Sequence, residues 1–334
     1  MLRTRSLGRN LKNCFTENCF TENCFTENCF TGQPNAIGVN NPASPQRPAS
    51  HSTASKSRVT PKVTFLMDDS LNERQQTKMN HSNSKSKSGR SFLIPRCRRL
   101  TWDLLRFNRQ VPLCAHDRIC DLSSVSKARS CATRRISWPA LMLKAFGLMA
   151  EQFPEFRQTW YRWPIAHLYQ HPHSIAAMTV QRTHKDQPWL FWAMVDAPEN
   201  MTLPELQSVL DEYQTGPIRP QYQDMLRLAS LPTLFRRLIW NWNFHVAKAG
   251  RAQKLGTFFL STLSGKGAEI QSPPSIQTGC LTYGPLDEQG RCRITIAYDH
   301  RVMDGALVAD ALAFLENVLT TTIQRELETL AEGK

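Results

Sequence analysis

The pattern of apolar and polar residues divides the chain near residue 90. Residues 1–90 are rich in Ser, Asn, Pro, Thr and Lys, whereas aromatic and aliphatic residues are frequent from Ser91 onward. A segment with so little apolar surface does not form a packed core. We therefore predict a disordered, low-complexity leader over residues 1–90 and one folded domain over residues 91–334.

Within the folded region, apolar residues recur at the spacing of a helix face in five segments. The clearest has Pro139 in its first turn and stops at Phe153-Pro154. Another begins after Thr202, a residue type that caps helices. We predict helices over residues 93–105, 138–152, from 202 onward, over 222–250 and over 305–330.

Strand-like runs rich in β-branched and aromatic residues lie between and after these helices. The run 189–196 is apolar on both sides, which predicts a central strand. Strands and helices mixed in this way predict an α/β domain, a two-layer sandwich with a mixed β-sheet. The predicted strands cover residues 111–122, 174–182, 189–196, 256–263, 278–283 and 291–298.

The charge of the folded region is only moderately positive. The chain has a formal net charge of +13, and residues 1–90 carry 13 Lys/Arg against 6 Asp/Glu, so about half of the excess lies in the leader. A basic domain attracts anionic ligands, acidic membranes or nucleic acid. With no paired Cys/His finger and no RNP-like strand, no nucleic-acid partner is predicted.

The ten cysteines do not form a disulfide or metal pattern. Four belong to a Cys-Phe-Thr-Glu-Asn repeat over residues 14–31, which reads as a low-complexity tail or as sequence upstream of a true start at Met67 or Met79. The other six are scattered without a C-x-x-C, which predicts free thiols and a cytoplasmic location. No apolar run of eighteen residues and no secretory h-region occur, so no transmembrane helix or signal is predicted.

One short motif carries chemistry. The predicted strand 291–298 is followed by Asp299-His300-Arg301-Val302-Met303-Asp304-Gly305 and then by the last helix. A strand end can hold a polar side chain rigidly while exposing it to a cleft. His300 offers the side chain that enzymes use most often as a general base, Asp304 can cap the helix that follows, and Gly305 allows a tight backbone path.

This motif resembles the active-site signature of the dihydrolipoamide acyltransferases, and its H-x-x-x-D-G core is shared with chloramphenicol acetyltransferase and peptide-synthetase condensation domains. Gly256-Thr257-Phe258-Phe259-Leu260-Ser261 resembles the serine-bearing strand of the same family. Residues 136–156 resemble its early helix and the turn that follows. The resemblance covers residues 97–330 and implies the chloramphenicol acetyltransferase-like fold.

The resemblance also implies roles for individual residues. His300 takes a proton from a thiol, that of coenzyme A in the family, or from another nucleophile that attacks an acyl thioester. Ser261 donates a hydrogen bond to the oxyanion, with Ser264 as the alternative donor. In the family the histidine and the serine come from neighbouring subunits of a trimer. An arginine is expected to hold Asp304, and the candidates are Arg106 and Arg109.

The chain departs from the family in three respects. No lipoyl domain or lipoyl attachment site is recognised, so the acyl donor need not be a lipoyl group, and acyl-coenzyme A is the expected substrate. Residues 220–255 form a basic, aromatic insert, interpreted as a lid, a packed helix or a membrane-surface helix over residues 226–250. Pro112-Leu113-Cys114 stands where the family has Pro-His-Phe.

Several alternatives stay open. A zinc site is one reading of four histidines, but no cysteine or carboxylate completes the set, and no metal is predicted. For the domain as a whole, the leading hypothesis is a stand-alone acyltransferase that uses coenzyme A thioesters. The others are an inactive trimeric scaffold of the same fold and a membrane-associated enzyme acting on acyl chains. The four histidines are His167, His171, His173 and His184.

Overall fold

The computed structural model describes residues 89–332, and Phe92–Lys334 forms one compact unit. The five-residue repeat and nearly all of the predicted leader lie outside the described residues. The helices are α1 (Arg96–Asn108), α2 (Ser123–Cys131), α3 (Trp138–Gln152), α4 (Leu203–Thr215), α5 (Ile218–Gln221), α6 (Gln223–Ser230), α7 (Thr233–His245), α8 (Lys248–Leu255), α9 (Gly305–Val318) and α10 (Gln324–Glu332). The strands are β1 (Leu113–Asp121), β2 (Gln158–Tyr161), β3 (His167–Gln170), β4 (Ile175–His184), β5 (Gln187–Asp196), β6 (Phe258–Leu260), β7 (Gly279–Tyr283) and β8 (Arg291–Asp299).

Six strands form one sheet in the order β1-β8-β7-β6-β4-β5. The short strand β6 is parallel to β4 and to β7, and the remaining neighbours are antiparallel. The α/β prediction with a mixed sheet packed against helices is therefore confirmed. Strands β2 and β3 form a separate antiparallel hairpin, which the sequence analysis did not predict.

The main core lies on one face of the sheet, under α3, α4 and α9. Side chains at alternate positions of the strands point into it, among them Phe258 and Leu260 of β6 and Met178 of β4. The helices predicted there form as expected. Pro139 lies in the first turn of α3, and Thr202 caps α4 in a reciprocal capping box with Glu205.

The opposite face carries a smaller cluster of buried residues. Ala177, Phe259, Cys280 and Ala297 form it, with Trp192 and Met194 of β5 packed against them. A further cluster joins α1 to α7 through Phe107 and Trp240, whose rings stack at 5.4 Å. The insert thus adds a layer of helices beside this second face.

The prediction that residues 189–196 form a central strand was wrong, because β5 is the edge strand of the sheet. Its side chains are apolar on both sides because helices cover it on both. Trp189 and Phe191 pack with residues of α1 and α6, whereas Trp192 packs against Trp240 of α7. A strand that helices bury on both faces has the same apolar sequence pattern as a central strand, whatever its position in the sheet.

The helical stretch predicted over residues 222–250 is three helices instead of one. α6, α7 and α8 are separated by breaks at Leu231-Pro232 and at Val246-Ala247. Pro232 stands at the N-cap of α7, where it has no intrahelical hydrogen bond to lose. The periodicity identified the helical content, and the breaks follow from the proline and from packing.

Among the described residues, the continuous helical segment Gly305–Glu332 is long and apolar enough to cross a membrane by length and composition. It comprises α9, a π-helical turn over Leu319–Ile323, and α10. Val308, Leu315 and Leu327 on this segment are fully buried in the main core. Its apolar character is therefore that of a core helix of this domain.

Three of the four histidines considered as zinc ligands have separate polar partners, and the fourth, His184, has its ring 6.1 Å from that of Trp189. His171 Nε2 lies 3.2 Å from the Thr159 hydroxyl, His173 pairs with Asp196 at 2.8 Å, and His167 Nδ1 lies 2.7 Å from the Ile165 carbonyl. Within residues 89–332, no three His, Cys, Asp or Glu side chains come together as a metal-binding group.

His171 predicts an acid-sensitive fold. Its side chain is buried, and burial, together with the positive charge of Arg251, lowers the pKa of the imidazole from 6.5 to about 4. The unfolded chain takes up this proton below pH 6.5 and the folded chain does not, so this contribution to stability is present above that pH and is lost as the pH falls towards 4. We expect the contribution to shrink by about 2 kcal/mol between pH 7 and pH 5.

The measurement is urea unfolding at both pH values. The variant His171→Gln should show a difference between the two pH values that is smaller by this amount. Equal pH dependence in wild type and His171→Gln would contradict the assignment.

Candidate active site

A buried ion pair holds the turn between β8 and α9. Asp299, the last residue of β8, is buried and accepts hydrogen bonds from Nε and Nη2 of Arg301 at 2.8 and 2.5 Å. The backbone N–H of Arg301 donates a third to Asp299 at 3.0 Å, and the guanidinium lies 4.2 Å over the Trp160 ring. Bidentate pairing fixes geometry as well as charge, so this turn is a rigid support for the residue between the two.

His300 lies between Asp299 and Arg301 in this turn. Its backbone N–H donates to the Pro112 carbonyl at 3.1 Å, and its ring lies 5.7 Å from the Tyr298 ring. Nδ1 is 3.4 Å from a carboxylate oxygen of Asp304, and the side chain is 44% exposed. A carboxylate beside Nδ1 favours the tautomer protonated there and leaves the Nε2 lone pair able to accept a proton from a substrate.

Asp304 does not act as the sequence analysis expected. It occupies the N-cap position of α9, but its side chain makes no capping hydrogen bond. It is 87% exposed and turns back towards His300. Neither Arg106 nor Arg109 pairs with it: both are exposed, and the arginine at the turn, Arg301, binds Asp299 instead. The expected arginine partner was wrong because Asp299, one residue before the histidine, already supplies the buried carboxylate.

A side chain at Gly305 would crowd the neighbouring ring of His116. A Cβ at this position would lie 2.9 Å from Cε1 of His116 and 3.4 Å from the Tyr298 hydroxyl oxygen. Carbon contacts that short do not occur without displacement of the neighbour. The ring of His116 also stacks on Tyr298 at 5.5 Å. Gly305 therefore lets the start of α9 approach β1 closely enough to keep Asp304 beside His300.

Ser261 follows the last residue of β6. Its backbone N–H donates to the Leu281 carbonyl at 3.1 Å, which extends the pairing with β7 by one residue. The side chain is 8% exposed and continues the alternation that places Phe259 on the second face of the sheet. Ser264, the alternative donor, begins a separate 3-10 turn over Ser264–Lys266 and is only half-buried.

Within one chain, His300 and Ser261 lie at opposite ends of the sheet. Leu260 is level with Leu281 and, through it, with Ile296. Because β8 runs antiparallel to β6, His300 lies four residues beyond this level in one direction and Ser261 one residue beyond it in the other. His300 and Ser261 are thus separated by five residue steps, or about 17 Å along the strand direction. A single chain therefore does not bring the two predicted catalytic side chains together.

Cationic side chains surround the base of the turn. Arg251 of α8 is buried and donates to the carbonyls of Phe244 and Ile276, each at 2.8 Å. Burial lowers its pKa to about 10. Burial and the positive charges of Arg251, Arg162 and Arg301 together lower the pKa of His245. This electropositive region was not predicted, because its members are far apart in sequence and only the fold gathers them.

Solved structures identify the fold. A truncated catalytic core of the 2-oxoacid dehydrogenase multienzyme complex from Thermoplasma acidophilum superposes with a TM-score of 0.51 at 14% identity, over 70% of this chain and 99% of that one. The dihydrolipoamide acetyltransferase of Azotobacter vinelandii superposes with a TM-score of 0.50 at 16% identity, over 71% and 94%. The chain has the fold of the dihydrolipoamide acyltransferase catalytic core.

The comparison by sequence gives no corresponding result. No family model matches this chain, and no curated protein matches it. The acyltransferase-like fold therefore persists here with few of the residues that sequence comparison detects. The His300 turn and the Ser261 strand carry the likeness that can be read from the sequence.

Proposed function

We propose that the chain is an acyltransferase that moves an acyl group between a coenzyme A-type thioester and a thiol or another nucleophile. The observation that carries the proposal is the geometry at His300. The ring is held by a rigid turn, its Nδ1 faces a carboxylate, and its other nitrogen is free on an exposed edge. In the Azotobacter enzyme a serine, a histidine and an asparagine four residues after the histidine were investigated for their roles in catalysis. Ser261, His300 and Asp304 have the same order and the same histidine spacing.

The reaction follows from these groups. His300 Nε2 takes the proton from the attacking thiol, and the sulfur forms a bond to the carbonyl carbon of the thioester. The Ser261 hydroxyl donates to the oxygen that becomes negative. When the carbonyl re-forms, the original carbon–sulfur bond breaks, and the leaving thiolate takes the proton back from the His300 imidazolium. Asp304 stabilises that imidazolium while it exists.

We infer that the working unit is a homotrimer, with His300 and Ser261 of each site contributed by different subunits. The separation of about 17 Å along the strands of one chain supports this, since a thioester carbonyl has to contact both groups at once. A point-group arrangement repeats the same contact around the ring, so each subunit gives one histidine and one serine.

Subunit complementation tests this arrangement. The variants His300→Ala and Ser261→Ala should each lose activity, with a loss of about 10²–10³ for the serine. If the two are unfolded together and refolded as mixed oligomers, about one quarter of the sites regain a complete pair under random mixing. Thiol release from acyl-coenzyme A is the readout.

Two results would count against the proposal. Refolded mixtures with no activity above the separate variants would place both residues in one subunit or exclude one of them from the site. A wild-type chain that is folded and trimeric but turns over no thioester would favour the inactive scaffold.

A second candidate function is acyl transfer at a membrane surface through residues 226–250. Five large apolar side chains of α7 are exposed, and no acidic residue occurs between Asp224 and Glu269. A basic helix with exposed aromatic residues binds anionic lipid surfaces. The exposed side chains are Leu234, Phe235, Leu238, Ile239 and Trp242.

This candidate predicts sedimentation with vesicles of anionic phospholipid and little with neutral ones. The variant Phe235→Glu/Trp242→Glu should reduce bound protein at least about tenfold, because charged side chains replace two apolar side chains that enter the lipid. The paired variant Leu168→Glu changes an exposed apolar residue on β3 outside this helix and serves as control. Equal binding of all three proteins would exclude α7 as the contact.

A further inference from the structure

The insert and the sheet enclose a cavity that the chemistry at His300 does not use. Its volume is about 440 Å³, within the range of small-molecule sites. The walls come from α1, β5, α6, α7 and α8, and we call it the insert cavity. Most of the lining is aliphatic, aromatic or thioether: Leu100, Trp192, Met194, Met225, Leu228, Leu231, Ile239, Trp240 and Leu255.

The walls also contain polar groups that lack partners. Trp240 and Asn243 are both more than nine-tenths buried. Nε1 of Trp240, Oδ1 of Asn243 and Oε1 of Gln221 each lack a hydrogen-bond partner. All three residues line the cavity. These atoms are closed to solvent although their residues line the cavity. Such unpaired buried atoms cost stability, and the surface that a ligand would meet is mostly apolar.

The insert cavity lies on the sheet face and at the sheet level of Ser261. In the register of β4 and β6, Met178 is level with Leu260, so the next pair is Thr179 with Ser261. Thr179 is level with Trp192 in the register of β4 and β5. Ser261, Thr179 and Trp192 therefore form one row on the second face, and Thr179 between them is only half-buried.

Trp192, a wall of the insert cavity, lies two strands from Ser261. Two strand spacings amount to about 10 Å, a distance that an extended alkyl chain of roughly eight carbons spans. A thioester whose carbonyl oxygen accepts from Ser261 can thus direct its acyl chain along this row and into the cavity. The apolar lining, with its two adaptable methionines, suits a flexible hydrocarbon chain.

We propose that the insert cavity binds the acyl chain of the thioester substrate and selects chains of medium length over acetyl. This inference rests on the proposed acyl transfer at Ser261. It assigns to residues 220–255 the role of a chain-length determinant, since α6, α7 and α8 supply most of the lining. The site is separate from the coenzyme moiety, which lies on the other side of the thioester sulfur.

The first experiment compares decanoyl-coenzyme A with acetyl-coenzyme A on the full chain. We expect kcat/KM to be at least tenfold higher for decanoyl-coenzyme A. The variant Leu228→Trp places a bulky ring in the cavity and should bring this ratio close to one by obstructing the acyl chain, while turnover of acetyl-coenzyme A continues. The matched variant Leu226→Trp, on the same helix but outside the cavity lining, should keep the wild-type ratio.

Calorimetric binding separates this inference from the proposed function. If no thioester is turned over, but decanoyl-coenzyme A binds at least tenfold more tightly than acetyl-coenzyme A and Leu228→Trp removes the difference, the acyl-chain site stands and the catalytic proposal fails. If both esters turn over and bind alike, the site is overturned while acyl transfer stands. The acyl-chain site is also overturned if free decanoic acid binds while the two esters bind with equal affinity, because the cavity is then a site for a free fatty acid.

Discussion

Replacement of His300 by alanine is expected to lower kcat for thioester turnover by about 10²–10⁴, the range that one general base contributes. The loss follows from the position of the ring. It is the group at the exposed edge of the turn whose Nε2 is free to accept a proton, and Asp304 can stabilise it once charged. We expect little change in folding, because the half-exposed side chain is not part of the core and the turn is held by Asp299 and Arg301.

The assay is release of free thiol from acyl-coenzyme A by the full chain, alongside thermal unfolding. His116→Ala is the informative control, since this ring also lies beside Tyr298 but is carried by β1 and has no carboxylate partner. It should retain most of the activity. Full activity of His300→Ala would exclude both the acyltransferase and its membrane-associated form. If both histidine variants lose activity and unfold at an altered temperature, the loss of activity is due to disturbed local packing and not to the absence of proton transfer.

Sequence reasoning found the part of the site that is continuous in the chain. The strand, the turn and the helix around His300 follow one another, so their periodicities and the seven-residue motif predict both the elements and the exposed imidazole. For Gly305 the sequence predicts a tight backbone path, and the structure shows instead a close approach to another side chain. That side chain, His116, lies almost two hundred positions earlier, so the approach had no local signal.

Two of the errors have the opposite origin, because they depend on contacts between distant segments. The motif contains two aspartates, and periodicity alone does not say which of them meets an arginine; only the fold shows Asp299 buried and Asp304 exposed. For β5, burial by the helices of the insert imitated the pattern of a central strand. The hairpin β2–β3 was missed because its two strands have only four residues each.

The insert is attached to the rest of the domain by an ion pair that no local sequence pattern predicts. Arg236 of α7 and Asp103 of α1 have side chains that are 1% and 0% exposed. Nε of Arg236 donates to Oδ2 of Asp103, Nη2 approaches Oδ1 at 3.4 Å, and Nη1 donates to the Leu231 carbonyl at 3.1 Å. The pair lies where α1 and α7 meet, beside the cluster that contains Phe107 and Trp240.

Loss of one partner from this pair should cost more stability than loss of any exposed charge in the domain. The variant Arg236→Leu leaves the Asp103 carboxylate buried without a counter-charge, and we expect the free energy of unfolding to fall by about 3–5 kcal/mol. The double variant Asp103→Leu/Arg236→Leu removes both charges and should recover a large part of this loss, since apolar pairs often replace buried ion pairs without penalty. Urea unfolding at neutral pH measures all three proteins.

The neighbouring residue supplies the control. Arg237 lies one position further along α7, with its guanidinium 4.8 Å over the Trp102 ring, and Arg237→Leu should cost no more than about 1 kcal/mol. A similar small loss for Arg236→Leu would mean that water reaches Asp103 and that the insert is held by apolar contacts alone. If the large loss occurs and the double variant restores stability, Asp103 is sealed from water in a tightly packed contact between α1 and α7, and the insert is held by that packing. Its helices, including the walls of the insert cavity, are then a fixed part of the domain and not a lid that opens freely.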